Sequence, residues 1–344
     1  MITRDDLTRM IDDEAFVLLR YPGDTHIELI LQRDDRLHTD ENFRTEGFYM
    51  APFDRKKHPV IVLPFDRTHS IRFETAQLDT AATPAQLQKT GGTTPQAHQQ
   101  RVEQALDLIR QGRLQKIVLA AYEDWQGDWD PVASFMRLTE AFPQSLVYYF
   151  HHPRAVSMLG ATPELLFKYD KHMGLMYSLA GTKFDERPWT AKEKQEQKFV
   201  TDYLIQKLLG WQLVLSQDGP YDHRQGHLRH LRTDIRFIMN KPEKDLPRLL
   251  KYLAPTPAVA GLPKDEAMKY IEKLEDFDRR YYTGFLGWKG NESGRFYVNL
   301  RSAEIRNDGL RLMAGGGITQ ASIPQDEWEE IKQKMQILKP YLSA

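Results

Sequence analysis

The chain is predicted to be a large α+β protein whose sheets are antiparallel or mixed. Strand-like and helix-like segments alternate along it without a fixed repeat and without the regular strand–helix–strand order of a doubly wound fold. The first eighty residues are also rich in strand candidates. The segments 16–21 and 26–31 are apolar and β-prone, and the turn residues Pro22-Gly23-Asp24 separate them.

Further strand candidates follow at 47–50 and 59–64. The segment 81–97 is rich in Ala, Thr, Pro, Gln and Gly, a composition typical of a flexible connector. A domain boundary or a long surface loop would both fit this segment. The N-terminal part is therefore expected to end in an irregular stretch near residue 90.

From Pro95 to about Gln111 the apolar residues recur at helical spacing, and Gly112 ends that helix. A strand is predicted from Lys116 to Ala120. The segments 185–200 and 264–276 show the clearest amphipathic helical patterns. Near the end of the chain, the alternating segment 296–303 predicts one more strand.

The bulk composition narrows the class of protein. The net charge is −1, so no global field favours nucleic acid or an anionic membrane. The absence of cysteine rules out disulfides, thiolate metal sites and cysteine nucleophiles. The N-terminus is polar and acidic, which disfavours a signal peptide, and no apolar run approaches the roughly 20 residues of a membrane helix. We therefore expect a cytoplasmic protein without nucleic-acid or membrane partners.

Two Glu-x-x-Glu pairs stand out among the charged residues. Glu193 and Glu196 share one face of a predicted helix, and Glu327 and Glu330 repeat this spacing near the C-terminus. An isolated pair of this kind is usually a solvated helix face. If the two pairs converge, their carboxylates repel unless a cation lies between them. Oxygen-only ligation of this kind suits magnesium.

Other residues are candidates for binding an anion. Arg301 lies in the predicted strand 296–303, where it is either a solvent-exposed arginine or a bidentate clamp for a carboxylate. Gly181-Thr182 and the run 315–317 are glycine-containing segments at which a carboxylate could approach main-chain amides closely. Most glycine runs are simple turns, so this signal is weak when taken alone.

Lys116 and Glu164 are candidates for proton transfer. Lys116 begins an otherwise apolar strand, where a lysine usually extends to water. Enclosure in a cleft would instead make it a base. Glu164 lies between Pro163 and an apolar run, and low-dielectric surroundings there would raise its pKa and make it an acid. The alternative is an ordinary loop or helix-terminal glutamate.

The histidines predict no metal site. His223, His227 and His230 would share one face if their segment were helical, but Gly226 interrupts it and arginines surround it. A surface role is therefore expected for this group. The sequence also has no Walker loop, no Gly-x-Gly-x-x-Gly after a strand and no Gly-x-Ser-x-Gly elbow, which disfavours nucleotide-dependent and serine-hydrolase chemistry.

With these residues in order, the chain resembles the chorismate-utilising enzymes, and within them the isochorismate synthases. The matching motifs lie in the order of that family at 116–120, 160–166, 179–183, 193–196, 255–263, 278–284, 301–303, 314–318 and 327–330. The resemblance implies that 1–344 is a single domain of that family's fold. Its variable β-rich part would be 1–90 and its motif-bearing core 95–344. It also implies large sheets packed as a sandwich with helices outside.

The resemblance further implies binding roles. Chorismate carries two carboxylates, and members of the family place Mg²⁺ on the ring carboxylate. The implied direct metal ligands are Glu196 and Glu330, with Glu193 and Glu327 acting directly or through water. The implied substrate-binding residues are Gly181, Thr182, Ala258, Arg301, Gly315 and Lys334.

The implied reaction is a reversible isomerisation of chorismate to isochorismate. Lys116 would deprotonate a water that attacks C2. Glu164 would protonate the C4 hydroxyl as it leaves and the ring double bonds shift. Neither an amidotransferase subunit nor a stable oligomer beyond a weak homodimer is expected. The product could serve menaquinone, siderophore or salicylate synthesis, of which menaquinone is favoured.

Several residues distinguish the branches of the family. Ala180 stands where aminodeoxychorismate synthases carry a lysine nucleophile, and the segment 256–263 differs from the usual anthranilate synthase motif. A salicylate synthase, which adds pyruvate elimination, remains the alternative, together with a catalytically idle member that only binds chorismate or a partner. The chain departs from the family pattern at Gln197 and Ala254, where histidine is frequent.

Overall fold

Two large antiparallel sheets form the centre of the protein. The computed structural model describes residues 3–11, 14–77, 83–183, 186–209, 215–225, 228–239 and 241–344. The helices in these ranges are α1 (Arg4–Ile11), α2 (Pro95–Arg110), α3 (Pro131–Ala141), α4 (Ala191–Leu209), α5 (Pro242–Leu253), α6 (Lys264–Leu274) and α7 (Pro324–Met335). None of these helices is both long enough and apolar enough to cross a lipid bilayer.

Most strands pair antiparallel with a strand that is next to them along the chain. They are β1 (Phe16–Arg20), β2 (His26–Gln32), β3 (Gly47–Ala51), β4 (Ile61–Pro64), β5 (Thr68–Glu74), β6 (Gln86–Gly92), β7 (Lys116–Asp128), β8 (Leu146–His151), β9 (Ser157–Thr162), β10 (Leu165–Asp170), β11 (Met173–Lys183), β12 (Leu215–Gln225), β13 (Leu228–Ile238), β14 (Gly261–Leu262), β15 (Phe285–Lys289), β16 (Ser293–Val298), β17 (Ser302–Arg306) and β18 (Gly309–Ile318).

One sheet has the order β14-β7-β18-β17-β9-β8-β1-β2-β5, with β6 also paired to β7. The other sheet has the order β12-β13-β11-β10-β16-β15-β3-β4. Strands from the first eighty residues belong to both sheets, since β1 pairs with β8 and β3 pairs with β15. The N-terminal strands are therefore built into the same two sheets as the later motifs.

The two sheets face each other through an apolar layer, and helices cover their outer faces. The inner layer is formed by side chains from both sheets, including Val17, Leu19, Tyr148, Phe150, Phe48, Met50, Leu286 and Tyr297. Helices α4 and α5 pack on the outer face of one sheet, and α1 and α3 pack on the other. Burial of these apolar faces is the main stabilising contribution. The predicted α+β sandwich with external helices is confirmed.

Individual elements differ from the sequence-based predictions in informative ways. The predicted connector 81–97 contains β6, which pairs with β7 from Gln86 to Gly92, and then the start of α2. The helix predicted at 185–200 begins only at Ala191 and extends to Leu209. The predicted helices near 95–111 and 264–276 are confirmed as α2 and α6.

The single strand predicted at 296–303 is wrong. Strand β16 ends at Val298 in one sheet, and β17 begins at Ser302 in the other. Between them the chain crosses from sheet to sheet, and Arg301 adopts a left-handed backbone with φ of 49°. Alternation in the sequence continues through the crossover, so the periodic pattern alone does not reveal it.

A second crossover runs beside the first. Strand β9 ends at Thr162 in one sheet and β10 begins at Leu165 in the other, which places Glu164 between the sheets. The two crossovers are joined by hydrogen bonds: the Val298 amide donates to the Glu164 carbonyl at 2.9 Å, and the Thr162 hydroxyl donates to the Val298 carbonyl at 2.6 Å. Glu164 and Arg301 are therefore brought together by the paired crossovers.

Candidate active site

A cavity lies beside the two crossovers and contains about 880 Å³ of space free of atoms, part of it open to solvent. This volume is in the range of small-molecule sites. Nine of the twelve residues predicted for the site line it: Lys116, Glu164, Gly181, Glu196, Ala258, Arg301, Gly315, Glu330 and Lys334. Of the other three, Glu193 lies on the same helix as Glu196, and Glu327 lies on the same helix as Glu330. The side chain of Thr182 lies outside the described residues.

Glu164 is a buried carboxyl group among cations. Burial raises its pKa to about 7, and this rise is opposed by the positive charges of Lys116, Arg301 and Lys334. The carboxyl group is therefore protonated in a large fraction of molecules near neutral pH. A group of this kind can donate a proton at the pH at which most enzymes work.

Arg301 and His230 form a donor–acceptor pair on the cavity wall. Burial lowers the pKa of Arg301 to about 10, so the guanidinium remains charged at neutral pH. Its Nη2 donates to Nε2 of His230 at 3.3 Å. Burial and the cations of Arg301 and Lys334 hold the pKa of His230 well below its usual range, which keeps the imidazole neutral and able to accept.

Lys116 is fully buried at the start of β7, and its side chain enters the cavity. Its Nζ lies 3.1 Å from Oε1 of Glu196 on α4 and makes no hydrogen bond of good geometry. The alternative of a lysine extending to water is wrong, because no part of this side chain is exposed. An enclosed amine next to a cavity is positioned to exchange a proton with a ligand.

Three of the four predicted metal-binding glutamates on α4 and α7 have a lysine partner. Lys116 pairs with Glu196, Lys192 Nζ lies 2.6 Å from Glu327 Oε1, and Lys334 Nζ lies 2.7 Å from Glu330 Oε1. The Lys192–Glu327 pair joins α4 to α7, and the Lys116–Glu196 pair joins β7 to α4.

The lysine partners affect the two α7 carboxylates differently. Burial would raise the pKa of Glu330, but Lys334 holds it below its usual range. For Glu327 burial dominates and raises the pKa. Lys334 also donates to the Gly315 carbonyl at 3.2 Å, so it connects α7 to β18 as well as to the carboxylate.

The donor set is compatible with a hard cation, although the described residues form no preassembled cluster of three or more acidic or histidine ligands. Oε2 of Glu327 is buried and accepts no hydrogen bond of good geometry, which leaves a ligating oxygen available. Glu196 and Glu330 direct further carboxylate oxygens into the cavity. Carboxylate oxygens are the protein ligands that Mg²⁺ prefers, and the residues present therefore fit this ion.

Glu193 has a structural contact in this conformation. Its Oε2 accepts hydrogen bonds from the Thr190 amide at 2.6 Å and the Thr190 hydroxyl at 2.5 Å. Thr190 immediately precedes α4, so the Glu193 side chain makes one of the two contacts of a capping box at the start of this helix. The sequence pattern Thr-x-x-Glu is a signal for such a cap, and a metal role for Glu193 stays a prediction.

Two glycines allow close approach at the site. Gly181 interrupts the register between β11 and β13 and has φ of 71°, and a Cβ there would lie 3.1 Å from the Glu193 carbonyl oxygen. At Gly317 a Cβ would overlap the Glu196 carboxylate and lie 2.9 Å from Cε of Lys116. Glycine is therefore required by a left-handed bulge at one position and by packed functional side chains at the other.

Sequence reasoning missed several residues of the cavity. His230 was expected at the surface, but it is buried on β13 and lines the cavity, so that expectation is wrong. His223 lies opposite it on β12, not on a shared helix face, and His227 lies outside the described residues. Tyr282 and Thr283 also line the cavity; their motif 278–284 marked the region without indicating a role.

The two departures from the family pattern are both accommodated by packing. Nε2 of the buried Gln197 donates to the Thr233 hydroxyl at 2.8 Å, which ties α4 to β13. Ala254 is buried after α5, and its carbonyl accepts a hydrogen bond from Lys264 at 3.0 Å. Neither Gln197 nor Ala254 lines the cavity.

A model of the chorismate binding enzyme family matches residues 63–343. The chain belongs to this family. Isochorismate synthase MenF of Escherichia coli (strain K12) is 32% identical over 268 residues, covering 74% of this chain and 60% of that protein. Isochorismate synthase MenF of Pasteurella multocida (strain Pm70) is 36% identical over 253 residues, covering 68% of this chain and 58% of that protein. The aligned region is thus less than two thirds of the length of these relatives.

A solved member of the family has the same architecture. The putative 2,3-dihydroxybenzoate-specific isochorismate synthase DhbC from Bacillus anthracis superimposes with a TM-score of 0.83 at 25% sequence identity. The superposition covers 98% of this chain and 99% of that structure. It therefore includes the first hundred residues, whose sequence carries few of the family's motifs.

Proposed function

We propose that the protein is an isochorismate synthase that converts chorismate to isochorismate reversibly with Mg²⁺. The observation that carries the proposal is the placement of Lys116 and Glu164 on one cavity that also contains Arg301, Lys334 and the acidic helices. A base, an acid with a pKa of about 7 and carboxylate-binding cations are the groups that this isomerisation needs. The names of the similar proteins, isochorismate synthases among them, support the same activity.

Substrate binding follows from the charges on the cavity wall. We propose that Arg301 and Lys334 bind the carboxylates of chorismate, together with the amides at Gly181-Thr182 and Gly315. Ala258 lies on the apolar part of the wall and would contact the ring or the enolpyruvyl group. His230, which keeps Arg301 in place through its hydrogen bond, is added to the proposed binding site.

The proton transfers follow from the two buried groups. Lys116, in its neutral form, takes a proton from the water whose oxygen adds to C2. As that bond forms, two ring double bonds shift and the C4–oxygen bond breaks, and Glu164 gives its proton to the departing hydroxyl. The products are isochorismate and one water, and Lys116 is left protonated and Glu164 ionised. The same two groups in these forms catalyse the reverse reaction.

We propose that Glu196 and Glu330 hold Mg²⁺, with Glu193 and Glu327 binding directly or through its water ligands. The ion supplies positive charge that neutralises the ring carboxylate of the substrate. Lys192 holds the two acidic helices together through Glu327, and Lys116 holds α4 to β7 through Glu196. We also propose that residues 1–344 act as one catalytic unit, that no amidotransferase subunit is needed, and that the protein works in the cytoplasm.

The proposed function is tested by incubating the purified protein with chorismate and magnesium and separating the products by chromatography. Isochorismate alone is the expected product. Salicylate with pyruvate would instead indicate a salicylate synthase. No turnover, even with ammonia present, would contradict every catalytic assignment made for this cavity.

Glu330→Gln is expected to weaken Mg²⁺ binding at least about tenfold, because loss of even an indirect metal contact commonly costs that much. The matched control is Glu329→Gln on the same helix, whose side chain is 46% exposed and near Lys332. Isothermal titration with MgCl₂ measures affinity without relying on turnover. Equal affinities in the two variants would remove Glu330 from the metal site.

Lys192→Met is expected to tighten Mg²⁺ binding by about threefold or more, because it removes a positive charge 2.6 Å from Glu327. Lys198→Met is the control: this lysine is on the same helix, 72% exposed and paired with Asp202. Isothermal titration with MgCl₂ compares the Mg²⁺ affinities of the two variants. Unchanged affinity in the Lys192 variant would show that this ammonium does not compete with the ion.

A further inference from the structure

We propose that the buried ion pair between Glu275 and Arg279 is a positioning device that aligns β7, and with it Lys116, for the proton transfer. The inference rests on the proposed function and adds two residues to it. Neither side chain lines the cavity, so both act through the strand that they hold.

Strand β7 has a gap along one of its edges. Its other edge is paired with β18 continuously from Ile117 to Gln126. On the gapped edge, β14 reaches only Lys116 and Ile117, and β6 begins only at Glu123. The main-chain groups of residues 118–122 on that edge therefore lack a neighbouring strand, although they lie in the interior and require partners.

The ion pair fills this gap. Arg279 Nη2 donates to the Val118 carbonyl at 2.7 Å, and the Ala120 amide donates to Glu275 Oε1 at 2.7 Å. Val118 and Ala120 are two residues apart, so their main-chain groups point to the same edge. The guanidinium and the carboxylate thus replace the donor and acceptor of a missing strand. On either side, the Val118 amide bonds to the Ala260 carbonyl and Tyr122 bonds to Thr93.

The guanidinium also binds other residues that line the cavity. Its Nη1 donates to the Val259 carbonyl at 2.9 Å and reaches the Thr283 hydroxyl at 3.4 Å. Nε and Nη2 bind the two oxygens of Glu275 at 2.8 and 2.5 Å. All five N–H groups of Arg279 are thus engaged in a fixed geometry, which the single ammonium of a lysine cannot reproduce.

Both side chains of the pair are only 2% exposed. A buried ion pair has a large desolvation cost, and apolar residues of similar volume often stabilise a core as well or better. Stability alone is therefore a weak reason for this pair. Its hydrogen bonds reach Val118, Val259 and Thr283, which all line the cavity, so the pair joins one wall of the site to another.

The effect on the reaction follows from where the functional groups lie. Lys116, Val118 and Ala120 share one face of β7 because side chains alternate along a strand. The groups proposed to bind the substrate carboxylates belong to other elements: Arg301 to a crossover and Lys334 to α7. Loosening β7 should therefore misplace the base while leaving carboxylate binding nearly intact.

The test compares Arg279→Lys and Glu275→Gln with the wild-type protein. We expect kcat for isochorismate formation to fall by about 10- to 100-fold in each variant, the effect of a displacement of about 1 Å. KM for chorismate should change by less than about threefold. The matched control is Arg311→Lys. Arg311 on β18 binds Asp124 on β7 at 2.7 and 2.8 Å, away from the cavity, and this variant should keep its kcat.

Circular dichroism measures the folded fraction of each variant, and rates are expressed per folded protein. Hydrogen exchange supplies a second readout. The amides of residues 118–122 should exchange faster in the Arg279 and Glu275 variants and not in the Arg311 variant, even if a variant is too unstable for kinetics. Wild-type kcat in both folded variants, or unchanged exchange, would overturn the positioning role while leaving isochorismate synthesis intact. A wild-type protein that forms no isochorismate would instead overturn the proposed function.

Discussion

Replacing Lys116 by methionine is expected to lower kcat for isochorismate formation by about 10²–10⁴-fold, the usual contribution of a general base. The side chain is fully buried and lines the cavity, with its Nζ beside Glu196. Methionine has a similar volume and should preserve packing better than alanine. The measurement is steady-state kinetics with product chromatography, alongside thermal unfolding.

Lys89→Met is the matched control for this substitution. Lys89 pairs with Glu123 on the same strand β7 at 2.7 Å, but it is 42% exposed and far along the strand from the cavity. We expect it to keep wild-type activity. A Lys116 variant that retains more than about a tenth of wild-type kcat would refute the role of this lysine as the base.

Glu164→Gln is expected to lower kcat by a similar factor of about 10²–10⁴, because glutamine keeps the shape of the side chain but cannot donate an acidic proton. The fold should persist, since a neutral side chain already fits this buried position: the wild-type carboxyl has a pKa of about 7. Glu103→Gln, on the exposed face of α2, is the control. Wild-type turnover in the Glu164 variant would exclude it as the acid.

The pH dependence gives an independent test of the same group. Glu164 must be protonated to act as the acid, and burial raises its pKa to about 7. The protonated fraction is high below that pH and falls as the pH rises through it. The rate of isochorismate formation is therefore expected to decline on the alkaline side of about pH 7, and this limb should be absent from the residual activity of Glu164→Gln. An identical profile in both proteins would assign the limb to another group.

Local sequence patterns predicted a good part of the fold and the site. Helices α2 and α6 follow from helical spacing of apolar residues together with an N-terminal proline or acidic first turn. The strand beginning at Lys116 follows from its apolar run. These signals are short-range, since they depend on which side chains recur on one face, and they can therefore be read along the chain.

The errors arise where pairing with distant residues overrides the local pattern. The polar and glycine-containing composition of the segment 81–97 predicts a connector, but residues 86–92 pair with β7 as strand β6, with one irregularity between Lys89 and Gly91. The arginines near His230 in the sequence predict a surface position, yet on β13 its side chain is buried and lines the cavity. Neither outcome is visible without the sheet register.

By itself the sequence determined the chemistry available to this protein: two Glu-x-x-Glu helices, a lysine at a strand start, a glutamate after proline, and the ordered motifs of the chorismate binding enzymes. The tertiary structure alone decided which of these groups meet. The paired crossovers at Glu164 and Arg301, and the Glu275–Arg279 pair in the gap of β7, depend on contacts between segments more than a hundred residues apart. Such contacts are set by sheet pairing and packing of the whole chain, and no local pattern encodes them.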